Sequence, residues 1–179
     1  MKENRELATF GGGCFWCVEA VFERVKGVYS AESGYSGGHV KNPSYKQVIT
    51  GRTGHAEVVQ ISYDPDQVSY AELLEIFFLT HDPTTLNRQG ADVGTQYRSI
   101  VLYHNDQQKA LADKVIQKLD GEGIWKNPIV TAVESFQAFY SAEKYHQEYY
   151  ENNPNAGYCR VVITPKLEKF EKVFKDKLK

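Results

Sequence analysis

The sequence predicts an α+β protein, a two-layer sandwich of sheet and helices, and three observations carry that expectation. Strand-like and helix-like runs are interspersed without a regular strand–helix–strand period, which disfavours a doubly wound parallel sheet. At 179 residues with 41% hydrophobic content, the chain is of a size for one domain, residues 1–179, around a sizeable core. No internal repeat, low-complexity tract or interdomain linker divides it.

Each element can be justified in turn. Residues 7–10 form a short apolar strand, Gly11-Gly12-Gly13 a turn, and Val18, Val21, Phe22 and Val25 recur at helical spacing until Gly27. Residues 28–35 read as a strand entering the loop Ser36-Gly37-Gly38-His39, and residues 44–49 as a short helix ended by Gly51-Arg52-Thr53-Gly54. In residues 57–63, apolar Val59, Ile61 and Tyr63 alternate with Gln60 and Ser62, the pattern of a half-buried strand. After the turn Asp64-Pro65-Asp66, Ser69 and Glu72 make a capping box for a helix ending at Leu79, with Leu73, Ile76 and Phe77 inward.

Residues 80–97 read as a long irregular segment, and such loops are often functional. Residues 99–103 are a strand. Asn105 caps a helix carrying Leu111, Val115 and Leu119 on one stripe and closed by Gly121. Residues 129–133 are a further strand, residues 141–150 a helix with Tyr145 and Tyr149 one turn apart, and residues 159–163 the last strand. Thr164-Pro165 opens a final amphipathic helix with Leu167, Phe170 and Phe174 inward and a lysine-rich solvated face.

Composition excludes several function classes. With 21 basic against 23 acidic residues and a formal net charge of −2, no bulk electrostatic argument favours nucleic acid or an anionic membrane. The N-terminus lacks an apolar signal core, and the longest apolar-rich run, residues 73–79, is interrupted by Glu75 and too short to span a bilayer, so a cytoplasmic protein is expected. The phosphate-binding spacings G-x-x-x-x-G-K-[ST] and G-x-G-x-x-G are absent. Five histidines show no H-x-x-x-H spacing, which leaves a metal site resting on Cys14 and Cys17 alone, and none is expected. Three cysteines, an odd count, suit a reducing compartment better than a secreted disulfide framework.

The chemistry-bearing stretch is Gly11-Gly12-Gly13-Cys14-Phe15-Trp16-Cys17. Strand, glycine turn and helix place Cys14 at or next to a helix N-terminus, where free N–H groups and the dipole favour a thiolate. Its titration is expected below the free-thiol value of about 8.5. The glycines would leave a substrate's approach open. Phe15 and Trp16 are either core residues or an apolar wall beside a nucleophile. Glu57 is either a strand-end carboxylate or, if buried, an acid with a raised pKa, and Asp92 and Tyr97 are equally open.

In order, Gly12-Gly13-Cys14-Phe15-Trp16 with Glu19 and Phe22, Gly34-Tyr35-Ser36-Gly37-Gly38, Thr53-Gly54-His55-Ala56-Glu57, His81-Asp82-Pro83, Asp92 to Ser99 and Gly157-Tyr158-Cys159 resemble the blocks of the A-type peptide-methionine sulfoxide reductases, nearly end to end. The resemblance implies a ferredoxin-like plait core and reduction of methionine (S)-sulfoxide, free or in proteins, with no cofactor. By the same match Cys14 is the nucleophile, Phe15 and Trp16 take the S-methyl group, Glu57 gives the proton, Tyr35 and Tyr97 hold the sulfoxide oxygen, and Asp92 supports the site. Cys14 would end as a sulfenic acid, which a second thiol condenses to a disulfide for thioredoxin to reduce. Cys159 is the expected resolving thiol and Cys17, where many members carry glycine, the alternative. A monomer is expected. Two other readings remain: a thioredoxin-like oxidoreductase using Cys14-x-x-Cys17, and a non-enzymatic metal-binding or redox-sensing module.

Overall fold

The computed structural model describes residues 4–179; residues 1–3, part of the segment read as lacking a signal core, lie outside it. In order the chain forms β1 (Glu6–Gly11), α1 (Phe15–Phe22), β2 (Val28–Ser36), α2 (Tyr45–Val48), β3 (Ala56–Tyr63), α3 (Tyr70–Leu79), β4 (Arg88–Gln89), β5 (Asp92–Val93), β6 (Ile100–Tyr103), α4 (Asp106–Gly121), β7 (Ala132–Ser135), β8 (Phe139–Ser141), α5 (Tyr149–Asn152) and α6 (Thr164–Val173). Six strands make one sheet in the order β7-β6-β1-β3-β2-β8, while β4 and β5 pair separately inside the 80–97 segment. Neighbours are antiparallel except β6 and β7, which run parallel and are joined by the crossover through α4. The protein is thus of the expected mixed class, helices packed on a sheet.

Alternation along β3 decides what faces the helices. Glu57 shares its parity with Val59, Ile61 and Tyr63, and all four are buried. Val59 and Ile61 join Phe10 of β1, Phe22 of α1, Leu73 and Phe77 of α3, Ala112 of α4, and Leu167 and Phe170 of α6 in one core. Phe10 stacks on Phe77 at 4.9 Å between ring centroids, and burying each such side chain stabilises the fold by about 1.5–3 kcal/mol. Ala56, Val58, Ile100 and Leu102 form a smaller cluster on the opposite face, covered by Phe136 and Phe139.

The helix starts agree with their caps. Ser69 and Glu72 exchange both capping-box hydrogen bonds, Ser44 does the same with Gln47, and the Asn105 side chain accepts from the Gln108 amide. Two expected elements are corrected. Residues 141–150 are not one helix: β8 ends at Ser141, a 3₁₀ turn spans Lys144–His146, and α5 begins at Tyr149. Hydrogen bonds from this segment back to β2, described below, override its helical pattern. Nor is Cys159–Ile163 a strand; it is a π-helical turn running directly into α6. Only Cys159 and Ile163 of those five residues are buried, and with Leu167 and Phe170 they continue one helical stripe, whereas Val161 is 76% exposed.

The glycine triplet serves internal packing. A Cβ at Gly11 would lie 2.6 Å from the backbone oxygen of Glu57, and one at Gly12 would lie 2.8 Å from the His81 ring. Gly13 combines a φ of +83° with the Gln89 side chain pressed 2.7 Å from where its Cβ would be. Side chains here would therefore push β1 off β3, which is a tighter constraint than leaving room for a substrate. Gly11→Ala should accordingly cost about 1–3 kcal/mol of stability through overpacking, read as a lower urea midpoint with an unchanged slope.

Candidate active site

Cys14 is the N-cap of α1, with extended backbone (φ −65°, ψ 129°), and its carbonyl accepts from the Cys17 amide at 3.1 Å. The first amide of the helix, Phe15 N–H, donates to Glu57 Oε1 at 3.1 Å. The helix N-terminus is thus occupied by a carboxyl group from β3, and that group is 1% exposed. Burial pushes the Glu57 carboxyl up to about 8, against the Phe15 hydrogen bond and reinforced by Asp92. At neutral pH Glu57 therefore holds its proton.

The Cys14 thiol is pushed well above its ordinary range, first by burial, then by Glu57 and Cys17, with the Trp16 amide opposing. This reverses the expectation of a depressed thiol. A helix N-terminus contributes only a fractional charge, and here desolvation and a neighbouring acid outweigh it. The resting site is a thiol beside a carboxylic acid, both uncharged.

Three tyrosines lie near the pair. Tyr35 pairs in register with Glu57 across β2 and β3, but its hydroxyl donates to Glu143 Oε1 at 2.9 Å. The other oxygen of Glu143 accepts from the backbone N–H of Tyr45 at 3.0 Å. Tyr45 lies close enough to Tyr97 for their phenols to influence each other, and both are raised by burial and then by Glu57, with Cys14 also contributing. Tyr97 is held from the nucleophile's own turn, since its carbonyl accepts from Gly13 N–H at 3.1 Å. Tyr35, Tyr45 and Tyr97 are thus all near enough to feel the Glu57 charge, and Tyr45 and Tyr97 feel Cys14 as well. Nothing in local pattern marks Tyr45, which follows the capping Ser44 and reads simply as the first residue of a short helix.

Asp92 joins the site through Tyr158, whose hydroxyl donates to Asp92 Oδ2 at 2.7 Å and lies 3.8 Å from Cys17 Sγ. Cys17 is buried; burial raises its thiol, Lys166 opposes, and Cys159 is near enough to add to the shift. Cys159 is fully buried, and burial raises it too. All three cysteines are free thiols.

Phe15 is a core side chain, tilted against Tyr35 at 5.7 Å, whereas Trp16 is partly exposed and stacks on Tyr149 at 3.6 Å and 7°. The Trp16 indole N–H donates to His146 Nδ1 at 3.0 Å, which leaves the imidazole proton on Nε2. His146 also lies 4.6 Å from the Tyr45 ring, and burial holds its pKa below the usual value. The 142–149 turn that presents His146 and Tyr149 is pinned to β2. Gln147 accepts from Ser33 N at 2.9 Å and donates to the Ser33 carbonyl at 2.8 Å. Glu19 accepts from Ser33 Oγ at 2.7 Å and from the Glu148 amide. Sequence reasoning gave no site role to His146, Tyr149, Glu143 or Tyr158; the aromatic density of residues 139–150 was the signal available for the first three, and the block Gly157-Tyr158-Cys159 for the last. Among the described residues, no three His, Cys, Asp or Glu side chains are grouped to hold a metal ion.

A family profile described as peptide methionine sulfoxide reductase matches residues 6–178. The chain belongs to that family. It is 58% identical over 174 residues to the peptide methionine sulfoxide reductase MsrA of Saccharolobus solfataricus, covering 97% of each chain. It is 57% identical to MsrA 1 of Rhodopirellula baltica over 99% of this chain and 92% of that one. Among solved structures it resembles reduced Mxr1 of Saccharomyces cerevisiae, with a TM-score of 0.80, 37% identity, and coverage of 87% of this chain and 90% of that one. Mxr1 in complex with Trx2 is similar at a TM-score of 0.57 and 26% identity, with 83% and 87% coverage.

The coupled burial of the reductase site sets a titration. Alkylation of Cys14 by iodoacetamide should be slow at pH 7 and rise only above the ordinary thiol range. In Glu57→Gln, which removes the negative charge that opposes thiolate formation, the same rise should move to lower pH. An alkylation profile unmoved by that substitution would mean that Glu57 does not set the charge of Cys14.

Proposed function

We propose that this protein reduces methionine (S)-sulfoxide, free or in proteins, to methionine, with Cys14 as nucleophile and Glu57 as proton donor. The observation that carries the reading is the uncharged pair itself, a thiol at the start of α1 beside a carboxyl group that keeps its proton to about pH 8. A sulfoxide sulfur is a poor electrophile until its oxygen is protonated, and a buried acid poised near neutrality can supply that proton. As Cys14 Sγ bonds to the substrate sulfur, Glu57 gives its proton to the oxygen and regains one from the thiol. The oxygen passes to Cys14 as a sulfenic acid, the substrate sulfur leaves reduced, and atoms and electrons balance.

Tyr45 and Tyr97 hold the sulfoxide oxygen in this reading, which replaces Tyr35 by the phenol that meets Tyr97. Trp16, backed by Tyr149 and His146, and the edge of Phe15 form the apolar wall for the S-methyl group. Asp92 supports the site through Tyr158.

Cys14–SOH then condenses with a second thiol, forming a disulfide and releasing water. Cys17 is the better placed first partner. Joining them need not close a ring within a regular helical turn, because Cys14 is an extended N-cap and only Cys17 is helical. Cys159, on the far side of Cys17, lies in a helical turn and not on a swinging loop, so we place it second: it attacks Cys17, frees Cys14 and leaves a Cys17–Cys159 disulfide. Thioredoxin is the proposed final reductant, a reading supported by the similarity to Mxr1, which has been solved in complex with Trx2.

We further propose that the strands ordered β6-β1-β3-β2, with α1 after β1 and α3 after β3, are the expected plait, and that residues 1–179 act as one catalytic domain. No described helix is long and apolar enough to cross a membrane; with three free thiols, this supports a cytoplasmic setting.

With dithiothreitol as reductant and resolved epimers of a methionine sulfoxide peptide, turnover should be confined to the S epimer and absent in Cys14→Ser. Glu57→Gln should slow the reductive step by roughly 10²- to 10⁴-fold, the usual loss with an acid catalyst; a wild-type rate there would end its role as proton donor.

The thiol order is tested by one equivalent of substrate followed by peptide mass mapping. Cys159→Ser should accumulate a Cys14–Cys17 disulfide, and Cys17→Ser should accumulate sulfenic acid. Rapid formation of a Cys14–Cys159 disulfide in Cys17→Ser would restore Cys159 as the direct partner.

A further inference from the structure

Cys17 is the thiol whose approach the site on the Cys14 side leaves unexplained. It borders a narrow void shared with Thr80, His81 and Lys166, whose volume of about 10 Å³ is roughly that of one probe-sized water. The same three residues line an open groove of about 460 Å³, which extends past Gln89 and Trp125 to Lys169 on the outer surface of α6. Void and groove share these walls, which points to a second path between Cys17 and solvent, behind the glycine turn. Gly12 and Gly13 make that path possible, since His81 and Gln89, two of its walls, sit where their Cβ atoms would be.

The groove is cationic. His81 contributes no charge: it is fully engaged, with Nδ1 donating to the Phe77 carbonyl at 2.6 Å and Nε2 meeting Ser99 Oγ at 2.8 Å, and burial lowers its pKa to about 4. Asp82, the one acid in the lining, has its carboxylate turned to the Thr84 amide at 3.0 Å. Lys166 and Lys169 outnumber it and leave the lining positive by one charge, and Lys166 acts on Cys17 directly as a charge favouring its thiolate. Lys166 lines both void and groove, and its flexible stem can change rotamer on a picosecond to nanosecond scale.

We propose that this groove admits a low-molecular-weight thiol bearing carboxylates, which reduces the oxidised enzyme by attack at Cys17. The inference rests on the proposed thiol chemistry and extends it to a second class of reductant. A thiolate R–S⁻ entering here attacks Cys17 sulfur, forms a Cys17–S–S–R mixed disulfide and expels Cys14 or Cys159 as thiolate. A second R–SH completes the exchange, leaving Cys17 reduced and R–S–S–R released. Lys166 and Lys169 draw the carboxylates in, and the apolar edge of Trp125 gives the backbone of the thiol a wall to lie against.

The test makes the enzyme disulfide with diamide, so that it does not depend on sulfoxide turnover. Recovery of free thiols is then followed with glutathione, with neutral 2-mercaptoethanol and with cationic cysteamine, each rate corrected for its thiolate fraction. Glutathione should be fastest and most slowed by salt, and Lys169→Glu should slow it about fivefold, the scale of one exposed charge contact, while leaving 2-mercaptoethanol unchanged. Mass mapping under limiting glutathione should find the adduct on Cys17. An adduct on Cys14 or Cys159, a disulfide that omits Cys17, or equal effects of Lys169→Glu on all three thiols would overturn the proposal. Loss of S-sulfoxide turnover with groove entry intact would instead overturn the functional reading alone.

Discussion

A thiol and a carboxyl group buried side by side at the start of one helix cannot both be charged, and much of this structure follows from that exclusion. Coulomb repulsion in a poorly solvated site grows as water is removed, so burial raises both groups, the Glu57 charge raises Cys14 further, and both rest neutral. Such a site binds a neutral, polar sulfoxide without first having to part an ion pair. Its proton is also already beside the atom that must accept it. An exposed thiolate at a bare helix end would be a stronger nucleophile, but it would lack an acid and would react with any electrophile in the cell.

Holding that pair requires the end of β1 to lie directly against β3. Gly11 packs on the Glu57 backbone and Gly13 turns with positive φ against Gln89, so the chain arrives at Cys14 already within reach of the acid. The Phe15 amide closes the arrangement on Glu57. A second set of bonds builds the wall opposite. Glu19, one turn beyond Cys14, and Gln147 both fasten the 142–149 turn to Ser33, and from that turn His146 and Tyr149 fix the Trp16 ring. Burial pushes Glu19 up to about 7, and its oxygens are taken by the Ser33 hydroxyl and the Glu148 amide.

The three cysteines form a graded series around the same helix. Cys14 is partly exposed at the cap, Cys17 is buried one turn on, and Cys159 is sealed behind it in the turn leading to α6. In the proposed scheme oxidation at the exposed end is passed inward, away from the substrate. The groove behind the glycine turn is the outlet proposed for the middle thiol.

Local features were legible in the chain because residues within about four positions determine them. The Ser69 and Glu72 box, the Asn105 cap, the alternation of Val59, Ile61 and Tyr63, and the position of Cys14 at a helix start all belong to that class, as do the blocks that placed the family. The strand expected at Cys159–Ile163 failed for a related reason: β-branched Val161 and Val162 favoured a strand locally, while the stripe of Cys159, Ile163, Leu167 and Phe170 required a helix once α6 packed on the core. Tertiary structure alone decided the charge of Cys14, the approach of Tyr45 to Tyr97, and the partners of Trp16. Each depends on burial and on groups far apart in the chain, such as Glu57, 42 positions from Phe15, and His146, 130 from Trp16. The sequence by itself determined which chemical groups are present and which helix and strand ends carry them. Only the fold removed water from them, and removing water set their protonation and their partners.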